Sequence, residues 1–380
     1  MTGLSASLAK LMRQRRDWYA SLPGAETTRS VAAEDVPARL VAVNDFGSNP
    51  GRLAMFAYVP PSLPKGAPLV VVLHGCTQDA AGYDHGSGWS ELAERHGFAL
   101  LYAEQQRVNN PNLCFNWFRR GDTERGRGEP MSIRQMVRRM LRDHKLDARR
   151  VFITGLSAGG AMTAVMLATY PELFAAGAII GGLPHGAAGN VQEAFTSMAG
   201  GISREPSAWG DLVRSASAHK GAWPRVSIWH GTEDATVRLA NAHELVKQWT
   251  DVHGLGAAEP ERDLGDGHER LIWAGGKGPL VELVTIAGMG HGVPIAAGQE
   301  SGGEAGPYFL ETGLASTRRI AAFFGLIPAR AVVRARRVPR PEWRTMPRQA
   351  TPEDKAPESA PANEVGTAIV RALKAAGLMR

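Results

Sequence analysis

The segment Thr154-Gly155-Leu156-Ser157-Ala158-Gly159-Gly160 follows the apolar run Val151-Phe152-Ile153 and precedes the helical stretch Ala161 to Ala168. Few folds accommodate it. A G-x-S-x-G between a strand and a helix reads as a nucleophile elbow: small flanking residues allow a sharp turn that lifts the serine hydroxyl clear of a sheet and sets it at a helix N-terminus. Backbone N–H groups at such a position favour a developing negative charge. The bare motif recurs by chance in plain turns, so the strand before it and the helix after it are what point to catalysis.

The surroundings supply a matching scaffold. Short apolar runs predict strands at Leu53 to Tyr58, Pro68 to Leu73, Ala99 to Tyr102, Arg150 to Thr154, Ala175 to Ile180, Arg225 to Trp229 and Val281 to Ile286. Helical spacing predicts helices at Trp89 to His96, Ser132 to His144, Ala158 to Tyr170, Arg238 to Asp251 and Ser316 to Phe324. Strands that alternate with helices give an α/β fold, a mainly parallel sheet flanked by helices. Arg262 to Ala274 reads as a hairpin turning at Gly265-Asp266-Gly267 and leading into the last core strand, while Gly182 to Ala222, poorly periodic, reads as a cap over the C-terminal edge of the sheet. Three regions follow: an N-terminal helical extension over residues 1–30, a catalytic domain over 31–327, and over 328–380 a basic, Pro-rich linker ending in an amphipathic helix.

With 380 residues and 44% apolar content, the chain can bury a core without staples. Its two cysteines, Cys76 and Cys114, are too few for a disulfide scaffold and show no metal-ligand spacing, and the serine chemistry that Ser157 points to implies no metal or cofactor. No apolar run is long enough to span a membrane. The net charge of +6 concentrates between Arg119 and Arg150 and between Arg330 and Arg348. No nucleic-acid-binding signature accompanies it, so these segments read as a solvated helix face and a tail. Nothing in the sequence fixes an oligomeric state.

A serine alcohol is unreactive at neutral pH without a histidine to take its proton and a carboxylate to orient that histidine. In α/β-hydrolases these follow in the order Ser, Asp/Glu, His. Trp229-His230-Gly231-Thr232-Glu233-Asp234 closes a strand and offers Asp234 as the acid, with Glu233 its competitor; Ala287-Gly288-Met289-Gly290-His291-Gly292 follows the last core strand and offers His291 as the base. His230, His243 and His268 are placed on a strand end, a helix and a hairpin, and His185, in the cap, is the rival base. Two N–H groups must meet the oxyanion: Ala158, after the nucleophile, and Cys76, in His74-Gly75-Cys76-Thr77-Gln78 after an earlier strand. Cys76 as a nucleophile would have no base beside it.

These motifs, together with Cys114-Phe115-Asn116-Trp117-Phe118, resemble in their order the poly(3-hydroxybutyrate) depolymerase-type esterases, whose relatives include feruloyl and acetylxylan esterases. The resemblance runs from about Arg52 to Phe324. It implies an α/β-hydrolase fold, a Ser157, Asp234, His291 triad, an oxyanion hole at Cys76 and Ala158, and an ester or polyester substrate. It also implies that Cys76 and Cys114 approach each other, as a disulfide or as two buried thiols. Trp117 and Phe118 are candidate substrate-binding aromatics, beside the alternative that each is core. Met1 to Tyr19, with Lys10, Arg13, Arg15 and Arg16, lacks the apolar stretch of an export signal, so a cytoplasmic location is the expectation and an extracellular one, as for secreted relatives, the alternative. A polyester granule surface is the partner expected for the C-terminal tail. The competing functions are a feruloyl or acetyl esterase, a serine peptidase, and a granule-associated binding protein.

Overall fold

The computed structural model describes residues 39–328 apart from Ala257, Asp266, Lys277 and Glu300, so the expected N-terminal helix and the linker with its terminal helix lie outside the described residues. In chain order the elements are β1 (Val41–Ala42), β2 (Ala54–Tyr58), β3 (Leu69–Leu73), α1 (Ala80–Ser87), α2 (Trp89–His96), β4 (Ala99–Glu104), α3 (Gly128–Asp143), β5 (Val151–Leu156), α4 (Ala158–Thr169) and β6 (Ala176–Ile180). They continue with α5 (Val191–Met198), α6 (Pro206–Ser215), β7 (Arg225–Gly231), α7 (Ala240–Val252), β8 (Glu261–Gly265), β9 (His268–Gly275), β10 (Gly278–Ile286), β11 (Val293–Ile295), β12 (Phe309–Glu311) and α8 (Ser316–Phe324).

Ten strands form one sheet in the order β1-β2-β4-β3-β5-β6-β7-β10-β9-β8. The six from β4 to β10 run parallel, and the outer pairings on both sides are antiparallel. The reason is legible in β3, whose sequence LVVVL is buried throughout, as a central strand covered on both faces must be. Its side chains alternate between two cores: Leu69, Val71 and Leu73 pack with α4 and Trp249, whereas Val70 and Val72 pack with Trp89, Phe98 and Phe324 on the opposite face. Helix α4 is buried along its whole length, which fits a helix that is apolar all round.

Every strand predicted from sequence is present. The expected helix at Ser132 begins earlier, at Gly128, because Pro130 is accommodated in its first turn. The expected hairpin forms as β8 against β9, and β9 also pairs with β10. Helices α5 and α6 occupy the segment that showed little periodicity, and α1 was missed because its glycines break any apolar stripe. That helix is started by the Asp79 side chain, which accepts from Gly82 N–H at 2.7 Å.

The strands that carry the Asp234 and His291 loops are tied together by a buried carboxyl group. Glu282 of β10 stands opposite Ser227 of β7. Its carboxylate accepts from Ser227 Oγ at 2.6 Å and from Arg270 Nε at 2.7 Å, and Ser227 Oγ in turn accepts from Trp229 Nε1 at 2.7 Å. Removing the acceptor strands two donors inside the sheet, although Arg270 keeps some contact with water. Glu282→Ala is therefore expected to cost about 2–3 kcal/mol of stability. Urea unfolding would measure it, and a loss below about 0.5 kcal/mol, the range of an inert surface change, would remove this role.

Candidate active site

The register places five strand ends side by side. Leu73 pairs with Gly155, Leu156 with Ile180, Ile180 with Trp229, and Gly231 with Ile286. The loops leaving β3, β5, β6, β7 and β10 therefore emerge at one edge, where an open parallel sheet places its ligands.

Ser157 sits between β5 and α4 at φ 57°, ψ −118°, a backbone state that costs a non-glycine residue on the order of 1–3 kcal/mol and must be held by its surroundings. The neighbours hold it. Ser157 N–H donates to Ile180 O at 2.8 Å, and its carbonyl accepts from Ala161 N–H at 2.9 Å. A Cβ on Gly155 would lie 2.4 Å from Gly159 O, and one on Gly159 would lie 2.4 Å from Leu73 O, so both positions require glycine.

Asp234 and His291 meet as anticipated. His291 Nδ1 lies 2.7 Å from Asp234 Oδ2, while Asp234 Oδ1 accepts from the Thr236 and Val237 N–H groups at 2.9 and 2.8 Å. Burial works to raise the Asp234 pKa, but the hydrogen bond and charge of His291, the Val237 N–H and the charge of His230 outweigh it, so the carboxyl is held below its ordinary value. The two loops are stitched together: Glu233 N–H donates to Met289 O at 3.0 Å, and Gly288 N–H to Thr232 Oγ1 at 2.9 Å. The competitor Glu233 is exposed, whereas Asp234 is buried. Among the described residues no hydrogen bond closes the Ser157–His291 step, a contact that in resting enzymes is often long and tightens with substrate.

The other histidines fall elsewhere. His230 is fully buried, its Nε2 2.7 Å from Val237 O, and burial depresses its pKa. His185 has its main chain clamped in both directions by Gln248 and lines a cleft of about 440 Å³ with Arg120, Arg125 and Arg204, apart from the Asp234–His291 pair.

Cys76 and Cys114 are joined by a disulfide. Gly75 N–H donates to Gln78 Oε1 at 2.8 Å and Thr77 N–H to Asn112 O at 2.7 Å, and among the described residues neither the Cys76 nor the Ala158 N–H has an acceptor. The two expected oxyanion donors are thus uncommitted. Behind this loop, Gln105 N–H donates to His74 Nε2 at 3.1 Å, which leaves His74 Nδ1 to donate to Gly75 O at 2.6 Å. Burial pushes the His74 pKa down to about 4, so it serves as a neutral strut.

The sequence did not expose the anchor of this network. Glu129, at the start of α3 and 1% exposed, accepts from Gln105 Nε2 at 2.6 Å, Asn116 Nδ2 at 2.8 Å and Asn116 N–H at 2.9 Å. Gln105 Nε2 also donates to Cys114 O at 3.1 Å. Burial, aided by the charge of Asp122, pushes the Glu129 pKa up to about 8 despite these donors. In the sequence, Glu129 lies before the helix expected from Ser132 and reads as a loop acid next to Pro130. Gly181 was missed too: at φ 52°, a Cβ there would lie 3.2 Å from His291 Cε1 and 3.6 Å from Asp234 Oδ2. The Gly181-Gly182 pair after a strand was its available signal.

Of the aromatics, Trp117 is 6% exposed and belongs to the core around Phe115 and α4. Phe118 is partly exposed, packs perpendicular to Trp117 and lies under Arg119. Phe118 is thus the one of the pair with surface to offer a ligand, since neighbouring apolar side chains already cover Trp117.

The family described as Esterase PHB depolymerase matches residues 53–272. Over 292 residues the chain is 48% identical to poly(3-hydroxyalkanoate) depolymerase C of Paucimonas lemoignei, covering 76% of this chain and 70% of that protein. It is 33% identical over 273 residues to acetylxylan esterase A of Emericella nidulans, covering 69% and 88%. The solved acetyl xylan esterase from Aspergillus awamori superposes with a TM-score of 0.66 at 29% identity, over 76% of this chain and 99% of that one.

Glu129→Gln would turn an amide donor toward the Gln105 and Asn116 donors. On a soluble ester, kcat is expected to fall about tenfold or more with little change in KM, as when an oxyanion donor is misplaced. Stability should respond as well. A carboxyl with a folded pKa of about 8 against an ordinary 4.5 binds its proton more readily in the folded chain, so stability is lost as pH rises through that interval. His74 and His185, both pushed down to about 4 from 6.5, act oppositely, removing stability as pH falls from 6.5 toward 4. Thermal unfolding from pH 6.5 to 8 should therefore show a decline in the native protein that Glu129→Gln flattens; an identical decline in the variant would exclude Glu129 as its source.

Proposed function

Because the chain belongs to the Esterase PHB depolymerase family, we propose that this carboxylic ester hydrolase cleaves hydroxyalkanoate polyesters, their oligomers or short-chain hydroxyacyl esters through Ser157, His291 and Asp234. The observation that carries the residue roles is the 2.7 Å Asp234–His291 contact, set on loops at the same sheet edge as the strained Ser157 elbow. His291 takes the Ser157 proton as Oγ attacks the ester carbonyl, and the tetrahedral oxyanion is met by the N–H groups of Cys76 and Ala158. His291 then gives that proton to the departing alcohol. Water repeats the sequence on the acyl-enzyme, releasing the acid and restoring Ser157. Asp234 keeps its charge throughout and holds His291 with Nδ1 protonated, in keeping with its lowered pKa.

The polyester reading is supported by the 48% identity to a poly(3-hydroxyalkanoate) depolymerase. A second reading, deacetylation of a polysaccharide, is favoured by the match to acetylxylan esterase along nearly the whole of the solved chain. The Cys76–Cys114 disulfide favours an oxidising compartment, the extracellular alternative, over a cytoplasmic one. The basic segment beyond Arg330 and the terminal segment, whose apolar residues recur at helical spacing in the sequence, are proposed to hold the enzyme on a polyester granule surface.

Hydrolysis of para-nitrophenyl butyrate, release of 3-hydroxybutyrate from amorphous polymer and release of acetate from acetylated xylan form the test. Ser157→Ala is expected to abolish all turnover, and Asp234→Asn to lower kcat by about 10³–10⁴-fold through the wrong His291 tautomer. Acid release from polymer well above acetate release from xylan supports the depolymerase reading, and the reverse supports the second one. Turnover that survives in Ser157→Ala would overturn the mechanism.

A further inference from the structure

Tyr308 lies in the segment between β11 and β12 and is 40% exposed. Its ring meets the His291 imidazole perpendicularly, with centroids 6.3 Å apart and an interplanar angle of 82°. Its backbone is at φ 65°, a left-handed state that costs a tyrosine on the order of 1 kcal/mol or more. Tyr83, Tyr102 and Tyr170, by contrast, are each at most 2% exposed. A large ring is thus kept in water, in an unfavourable backbone state, against the base.

The surrounding packing fixes it there. Val293 N–H donates to Tyr308 O at 2.7 Å, and Val293 pairs with Phe309 in the two-stranded β11–β12 sheet. Phe309 is buried against Tyr83, with centroids 5.4 Å apart. Tyr308 stands in the turn just before β12, so the anchored Phe309 fixes where the turn sits while the Tyr308 ring keeps its exposed surface. The main chain after the base runs close by: a Cβ on Gly292 would lie 2.7 Å from Tyr308 O. Among the described residues the Tyr308 hydroxyl has no hydrogen-bond partner. The ring therefore has an anchored backbone, one contact with His291 and open apolar area on the remaining side.

We propose that Tyr308 is the wall of an apolar subsite on the His291 side of Ser157, which takes the aliphatic chain of the ester substrate and sets its chain-length preference. This rests on the ester-hydrolase reading above. Covering part of an exposed aromatic ring with a hydrocarbon chain removes apolar area from water on both partners, and the gain grows with chain length, so a short ester profits least.

The test compares para-nitrophenyl octanoate with para-nitrophenyl acetate in the wild type, Tyr308→Phe and Tyr308→Asn. Asparagine tolerates positive φ, so it removes the ring without disturbing the turn. The ratio of kcat/KM for octanoate to that for acetate is expected to fall about fivefold or more in Tyr308→Asn and to stay within about twofold in Tyr308→Phe. An unchanged ratio in Tyr308→Asn, or an equal fall in Tyr308→Phe, would overturn the proposal. Equilibrium binding of the octanoate ester to Ser157→Ala with and without Tyr308→Asn separates this from the mechanism: affinity about fivefold weaker in the double variant supports the subsite, and equal affinity refutes it. A wild type that turns over neither ester would sink the hydrolase reading, while the binding comparison would still decide the role of Tyr308.

Discussion

The close approach of the first turn of α4 to the carbonyl end of β3 is the contact on which the rest of the site depends. A Cβ on Gly159 would fall 2.4 Å from Leu73 O and 2.5 Å from His74 O, distances that no side chain tolerates. Because glycine is there, the helix N-terminus can sit directly beside the loop that leaves β3. Ala158 and Cys76 come from distant parts of the chain and end with their N–H groups uncommitted at the same sheet edge. The strain at Ser157 is affordable for the same reason: Ile180 O, the Gly155–Gly159 contact and a fully buried α4 leave the serine no alternative conformation.

Around that contact three buried carboxyl groups tie the loops together. Asp234 spends one oxygen on two backbone N–H groups and the other on His291. Glu129 gathers Gln105 and Asn116, so the segment that carries Cys114 is held from the inside by hydrogen bonds while the disulfide ties it to Cys76 from the outside. Glu282 does the same for β7 and β10. A buried polar or ionised group left without partners costs several kcal/mol; once paired, it fixes geometry more than it adds stability. The loops of Asp234, His291 and Cys76 thus each have a buried carboxyl group in their support.

How much of this was legible depends on how local the cause is. The strands were readable because LVVVL at β3 and VFITGL at β5 are continuous apolar runs, a pattern set by burial on both faces. Ser157, Asp234 and His291 were readable because each lies just after such a run, in glycine-rich loops with little other reason to carry those residue types. Glu129 was not, because a lone acid just ahead of an expected helix reads the same whether it faces water or a buried amide cluster. Gly181 and Tyr308 escaped for a related reason: each meets His291 through the fold, from another loop rather than from the motif that carries the histidine. The cap helices α5 and α6 were missed because so short a helix, stabilised by contacts such as Trp209 Nε1 to Glu244 Oε2 at 2.6 Å, needs no long apolar stripe.

The sequence by itself determined the strand and helix alternation, the elbow and the chain order of Ser157, Asp234 and His291, because these follow from side-chain periodicity and from glycine within a few residues of each position. Only the tertiary structure decided which strands are neighbours, and hence that five loops share one edge, that Cys76 and Cys114 are bonded rather than two thiols, and that Trp117 is core while Phe118 keeps surface. Those outcomes are set by strand register and by what covers each side chain, quantities that belong to pairs of distant segments and are written in neither one alone.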